Sequence, residues 1–240
     1  MVKRDQQFAI DEPLLESAPL AKKWANQYCL PAATDGYSCK AYHSMWQFFR
    51  IAGLIKTIAT DSDYLVAKIK SLSAHRKIDS VLISGSADYG MLARVARAFQ
   101  GEPDYPEITL LELCSTPIEL NKWYAERLNI KIETVQSSIF EFSPGKAYDL
   151  ICTHSFLGQF DKPSKLEILN KWRSLLSPHG RIVTTARLRP ESDGSPTVFC
   201  EDDLIKMRVK VSQIPDEIVS TCGITKAELQ SAIDLYTRNK

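Results

Sequence analysis

From Ile78 to about Ala186 the chain alternates short apolar runs with amphipathic stretches, and few folds satisfy that pattern. VLIS (81–84), ITLLEL (108–113), IKIETVQ (130–136), YDLICT (148–153) and RIVTTA (181–186) are too short for helices and rich in aliphatic and β-branched residues. They read as strands. Between them Gly90–Phe99, the stretch from Thr116 to about Leu128 and the stretch from Ser164 to Leu176 read as helices. Thr116-Pro117-Ile118-Glu119 and Ser164-Lys165-Leu166-Glu167 have the form of capping boxes, and Ser177-Pro178-His179-Gly180 is a helix stop. Such alternation predicts a parallel sheet covered on both faces. Right-handed crossovers then make it a doubly wound α/β sheet.

The flanks are helical. Glu12–Cys29, Ala41–Ala59 and Asp61–His75 carry apolar residues at helical spacing, with a Pro/Gly/Asp/Ser loop after Leu30. Asp202 to Lys240 reads as further helices, the last opened by the capping box Thr225-x-x-Glu228. The expected division is a helical lid or substrate segment over 1–77, a sheet core over 78–190 and a C-terminal loop and helices over 191–240. Within the last part, 187–200 is expected to be a flexible lid, with 196–200 able to form one short strand.

A chain of 240 residues, 44% hydrophobic and 25% charged, can build an ordinary core. Its 30 basic and 29 acidic residues give a net charge of +1, so no long-range field favours nucleic acid or an anionic membrane as partner. No apolar run is long enough to span a bilayer, and the basic N-terminus has no apolar segment of a secretory signal. Cys29, Cys39, Cys114, Cys152, Cys200 and Cys222 show no CxxC pair and no metal-ligand spacing. The reading is reduced, partly buried thiols in a cytoplasmic protein without a metal.

In open α/β sheets ligands bind beyond the carboxyl ends of the strands. The loop after the first strand is Gly85-Ser86-Ala87-Asp88-Tyr89-Gly90, whose small residues let backbone approach a ligand. An ordinary strand-to-helix turn would look the same. Glu112 ends the second strand, where a carboxylate can accept both hydroxyls of a ribose; a solvated strand-end acid is the plain alternative.

Taken in order, VLISGSADYG, ITLLELCSTPIEL, IKIETVQSSIFEF, YDLICTHSFLGQF and LLSPHGRIVTT resemble the class I S-adenosylmethionine-dependent methyltransferases of small-molecule type, over residues 80–186. The resemblance implies a Rossmann-like fold, S-adenosylmethionine as cofactor and methyl transfer. It implies that Gly85, Ser86, Ala87 and Gly90 wrap the amino-acid part of the cofactor. It places Glu112, with Leu113 beside it, at the ribose and Ser138 with Ile139 at the adenine. Thr153 would line the cofactor, with His154 and Phe156 facing the substrate. The chain departs from the family in lacking the acid near the end of the first strand, where Ile83 and Ser84 stand. Ala87 replaces a common glycine and Ser138 the usual aspartate. No closing β6–β7 hairpin is evident after Ala186. A truncated chain, a shortened variant or pairing with a second copy would account for that; an open sheet edge needs cover, which a homodimer would supply.

The acceptor expected is an oxygen or nitrogen of a small organic molecule, which attacks the sulfonium methyl in an in-line displacement with an optional general base. His154 is the first candidate base, with a structural histidine as its alternative, and His43 is the second. Tyr42, His43, Trp46 and Arg50 lie on neighbouring faces of one helix and resemble the lid helix of small-molecule methyltransferases, with core packing as the alternative for Trp46. Two other readings remain open here: a non-catalytic or assembly protein on a methyltransferase scaffold, and a nicotinamide-dependent oxidoreductase, which the missing GxGxxG and the long helical N-terminus disfavour.

Overall fold

The computed structural model describes residues 12–29, 39–186 and 200–238, with side chains of the last stretch described as far as Asp234. The loop expected at 31–38 and, apart from Cys200, the lid at 187–200 and the strand at 196–200 lie outside the described residues. The described chain forms two compact units. One takes Glu12 and the chain from Ile58 to the end of the sheet; the other takes the described residues from Pro13 to Thr57 and from Cys200 onward.

The first unit holds α3 (Ser62–His75), β1 (Ser80–Ser84), α4 (Gly90–Ala98), β2 (Glu107–Glu112), α5 (Ser115–Leu128), β3 (Ile132–Gln136), β4 (Tyr148–His154), α6 (Lys162–Leu175) and β5 (Leu176–Thr185). The five strands are parallel in the order β3-β2-β1-β4-β5, so the chain reverses direction across the sheet between β1 and β4. This is the doubly wound parallel sheet that the alternating pattern predicts, in the Rossmann-like form that the resemblance implies. β1 and β4 are buried on both faces: Val81, Leu82, Ile83, Leu150, Ile151 and Cys152 are inaccessible to solvent. On one face Leu82, Leu111, Ile151, Ile168 and Trp172 form a continuous cluster. Trp172 is fully buried, and its indole N–H donates to Ser84 Oγ at 3.0 Å, at the end of β1. Ser84, which stands near the end of the first strand where the family carries an acid, is thus the neutral acceptor that satisfies the buried indole.

Among the described residues the regular elements of the second unit are all helices: α1 (Leu14–Tyr28), α2 (Cys39–Ile51), α7 (Glu201–Ser212), α8 (Asp216–Thr221) and α9 (Lys226–Arg238). Met45, Phe48, Phe49 and Leu54 share one core with Val211, Val219, Leu229 and Ile233. Lys22 on α1 pairs with Glu228 on α9 at 2.8 Å. The division thus falls at Thr57/Ile58 rather than after residue 77, and α3 belongs with the sheet.

Several local expectations are corrected. The helix expected over 41–59 ends at Ile51, because Gly53 at φ 60° closes it: Leu54 N–H donates to Phe49 O and Gly53 N–H to Arg50 O. Asp61 instead ends a short 3-10 turn, Ile58–Asp61, ahead of α3. The capping box at Thr116 is absent: α5 starts at Ser115 and Thr116 is buried inside it. Asp161, not Ser164, caps α6, accepting from Ser164 N–H at 2.9 Å with Pro163 in the first turn. Thr225 and Glu228 do form a reciprocal box, at 2.8 and 3.1 Å. The Ser177–Gly180 stop is part of β5, taken up as an irregularity opposite Tyr148 and Leu150. Among the described residues no helix is long and apolar enough to cross a membrane.

Candidate functional site

The carboxyl ends of β1, β2 and β4 meet where the sheet order reverses. Gly85 leaves β1 at φ 74°, and its N–H donates to Leu111 O at 3.0 Å. A Cβ at Gly85 would lie 2.3 Å from Cδ2 of Phe156. Glycine is thus required twice, by its left-handed backbone and by the ring against it. Phe156 begins a 3-10 turn (Phe156–Gln159), and its ring also packs 5.9 Å from Trp172 and 4.9 Å from Phe160. Gly90 opens α4 and is confined less tightly, with Ile58, Asp88 and Glu12 around its would-be Cβ.

Glu112 closes the loop from the neighbouring strand. Oε1 accepts from Ser86 N–H at 3.3 Å; Oε2 accepts from Leu113 N–H and, at 3.4 Å, from Cys114 N–H. It is thereby the carboxylate that orders both turns, and an ionised carboxylate has about four acceptor positions in all. Leu113 next to it is 68% exposed, an unusual state for a leucine. Ser86 Oγ donates to Asp88 O, and Asp88, buried, accepts from Gly90 N–H at 2.8 Å. Ala87 lies within this turn.

Beyond β3, Ser138 Oγ accepts from Phe140 N–H at 3.3 Å, while Ile139 is buried in the core cluster with Leu111 and Phe142. Thr153, near the end of β4, is fully buried and its Oγ1 has no hydrogen-bond partner among the described residues. His154 follows, and its Nε2 lies 3.0 Å from Asp61 Oδ2. Ser155 then takes a left-handed conformation, φ 54°. For a residue with a Cβ this costs on the order of 1 kcal/mol, and it turns Phe156 back over Gly85.

Sequence reasoning missed Asp61, Asp88, Glu12 and Arg94 in this unit. Arg94, one turn into α4, is buried; it pairs with Glu12 and donates to Ser62 Oγ and Gly90 O, each at 3.2 Å. A charged residue on a helix otherwise buried along its length is the signal that could have found it. Asp61 was visible only as a helix start.

The other candidates stand in the helical unit. Tyr42 lies 5.3 Å from the His43 ring and 5.0 Å from Trp46, all on α2. His43 and Arg50 are 7% and 9% exposed, so both are buried in that unit. His43 Nδ1 lies 3.3 Å from Cys29 Sγ.

No family model and no curated protein matches the chain. Among solved structures it is similar to an O-methyltransferase family protein from Burkholderia thailandensis, at 16% identity over 60% of this chain and 41% of that one, TM-score 0.44. It is similar to a putative O-methyltransferase from Nostoc punctiforme, at 18% identity over 96% of this chain and 65% of that one, TM-score 0.47. A third is CalS10, an amino pentose methyltransferase from Micromonospora echinaspora, at 15% identity over 61% and 58%, TM-score 0.45. The chain spans less than two thirds of the length of each, and likeness at this level assigns neither a substrate nor a role to any residue.

Proposed function

We propose that this chain binds S-adenosylmethionine at the carboxyl ends of β1, β2 and β4 and transfers its methyl group to an oxygen or nitrogen of a small organic molecule. The observation that carries the reading is Glu112. A carboxylate at the end of β2, bound to the backbone of the glycine loop after β1, stands where a nucleotide ribose is held in a parallel sheet of this order. The residues present fit such a group. Gly85 and Gly90 carry no side chain at the two ends of the loop, α4 offers its N-terminal dipole to a carboxylate, and Thr153 Oγ1 is a buried hydroxyl without a hydrogen-bond partner among the described residues.

The cofactor, when bound, supplies an electrophilic methyl on a sulfonium sulfur. The chain's residues position and desolvate. In this reading Glu112 and Leu113 hold the ribose, Ser86 and Ala87 the amino-acid end, and Ser138 and Ile139 border the adenine. In this reading Asp61 Oδ2, 3.0 Å from Nε2, orients the His154 ring, and the imidazole serves as base toward an acceptor hydroxyl or amine. His43, buried beside a thiol, is not given the role of base. Phe156, over Gly85, is proposed to face the acceptor.

Calorimetric titration with S-adenosylhomocysteine and, separately, with NAD tests this. Binding of S-adenosylhomocysteine alone is expected. Glu112→Ala should weaken it by about 10- to 150-fold, the loss of a charge-assisted interaction of about 1.5–3 kcal/mol. Binding of NAD instead, or of neither by folded protein, would overturn the proposal.

A further inference from the structure

The helical unit carries a cluster that the methyl-transfer reading does not use. Cys29 follows the last residue of α1, Cys39 opens α2, and His43 stands one turn further along α2. The i, i+4 spacing sets Cys39 and His43 on one helix face. The packing of α1 against α2 brings Cys29 to the same place. The two sulfurs and a ring nitrogen of His43 all lie within 4.8 Å of one another, and Cys29 Sγ is 3.3 Å from Nδ1. All six cysteines of the chain are outside disulfides.

We infer that Cys29, Cys39 and His43 form a binding site for a borderline-soft divalent cation, zinc in the first instance. In a tetrahedral zinc site the ligand atoms stand about 3.5–3.8 Å apart, given metal–sulfur and metal–nitrogen lengths of about 2.3 and 2.0–2.1 Å. Side-chain rotation of less than an ångström or so brings this cluster to that spacing. Two thiolates and an imidazole suit zinc and disfavour magnesium or calcium, which take oxygen ligands. Burial of Cys29 and His43 keeps water from competing and strengthens the attraction of thiolate for cation. A disulfide between Cys29 and Cys39 would leave the imidazole beside the sulfur without a part. The linear sequence hid the site because it reads C-x9-C-x3-H, with no CxxC, and its first ligand stands on a different helix. Bound zinc would clasp α1 to α2, and its fourth position would go to a further ligand.

The test uses the full chain, purified without chelator and then titrated with zinc. About one zinc per chain is expected by elemental mass spectrometry. Cobalt in its place should give the thiolate charge-transfer and tetrahedral visible bands. Cys29→Ser, Cys39→Ser and His43→Ala should each cut metal content at least tenfold. His43→Cys should retain it, which separates loss of a ligand from loss of fold. Single serine exchanges at Cys114, Cys152, Cys200 and Cys222 identify any fourth thiolate. Metal content indifferent to all three ligand variants, or an intact mass two hydrogens lighter from a Cys29–Cys39 disulfide, would overturn the inference. Binding of S-adenosylhomocysteine is measured on the same samples, so failure of the metal site and failure of the proposed function are distinguishable.

Discussion

Gly85 and His154 show how much single residues are asked to do. Ala at position 85 meets two penalties, the left-handed φ and the Phe156 ring. The first costs about 1–2 kcal/mol and the second adds about 1 kcal/mol or more. Denaturant unfolding of Gly85→Ala should therefore show a loss of about 2–4 kcal/mol. Adding Phe156→Leu should recover the steric part and leave the conformational part. Full recovery would mean that the backbone angle contributes nothing. The His154–Asp61 pair makes a kinetic prediction. His154→Ala should lower kcat by about 10²- to 10⁴-fold with cofactor affinity unchanged. Asp61→Asn should act in the same direction more weakly, since it still holds the ring but no longer favours one tautomer. Full activity in both variants would leave His154 a structural histidine. Glu112 and His154 stand out in the sequence as candidates because strand ends are where ligands bind. Asp61 was not, since 93 residues separate it from its partner and nothing in the linear pattern pairs them.

The elements were read well where apolar periodicity alone decides them and poorly where a single turn does. The five strands follow the alternating pattern, whereas α2 was read through Gly53 because Ile55, Ile58 and Ala59 prolong the apolar periodicity. Only the backbone closure at Gly53 reveals the end. Ser164 looked like a cap, yet Asp161 stands at the right distance and is ionised, which makes it the stronger acceptor. The amino end of the sheet makes a further prediction. Asp149 on β4 gathers Arg76 at 3.0 Å, Asp79 N–H at 3.1 Å, Ser80 N–H at 3.2 Å and Ser177 Oγ at 2.8 Å, so one carboxylate ties the start of β1 to β4 and β5. Burial opposes its charge, but the donors from Ser177, Asp79 and Ser80, with the Arg76 guanidinium, outweigh burial and hold its pKa below the ordinary value. A lowered carboxylate pKa stabilises the fold above the unfolded value, about 3.9, and the contribution is lost as pH falls through the folded value. Asp149→Asn should accordingly be less stable than the wild type at pH 7, by about 1–3 kcal/mol. The gap should narrow steadily below about pH 4. A gap that stays constant from pH 7 to pH 2.5 would show that packing, not charge, holds this junction.

At the scale of the whole molecule, the chain is divided in a way that no linear reading would give. The helical unit is built from two stretches, residues 13–57 and the chain after 200, that enclose the sheet unit in sequence. Linear reading assigned them to separate segments because each has a helical pattern of its own, and amphipathic faces do not name their partners. The packing does: Phe48 and Phe49 of α2 and Leu229 and Ile233 of α9 are each at most 3% exposed in one shared cluster. Each of these two helices buries part of its apolar face against the other stretch, and helices this short are marginal alone. The two stretches should therefore unfold together. Leu229→Ala removes a buried side chain from the centre of the cluster and should cost about 2–5 kcal/mol within it. Hydrogen exchange followed by mass spectrometry should show faster exchange across α1 and α2 as well as α9, although the substitution lies about 180 residues from α2 along the chain. Faster exchange confined to α9 would mean that the N-terminal helices hold their structure without the C-terminal ones, and the helical unit would then be two units rather than one.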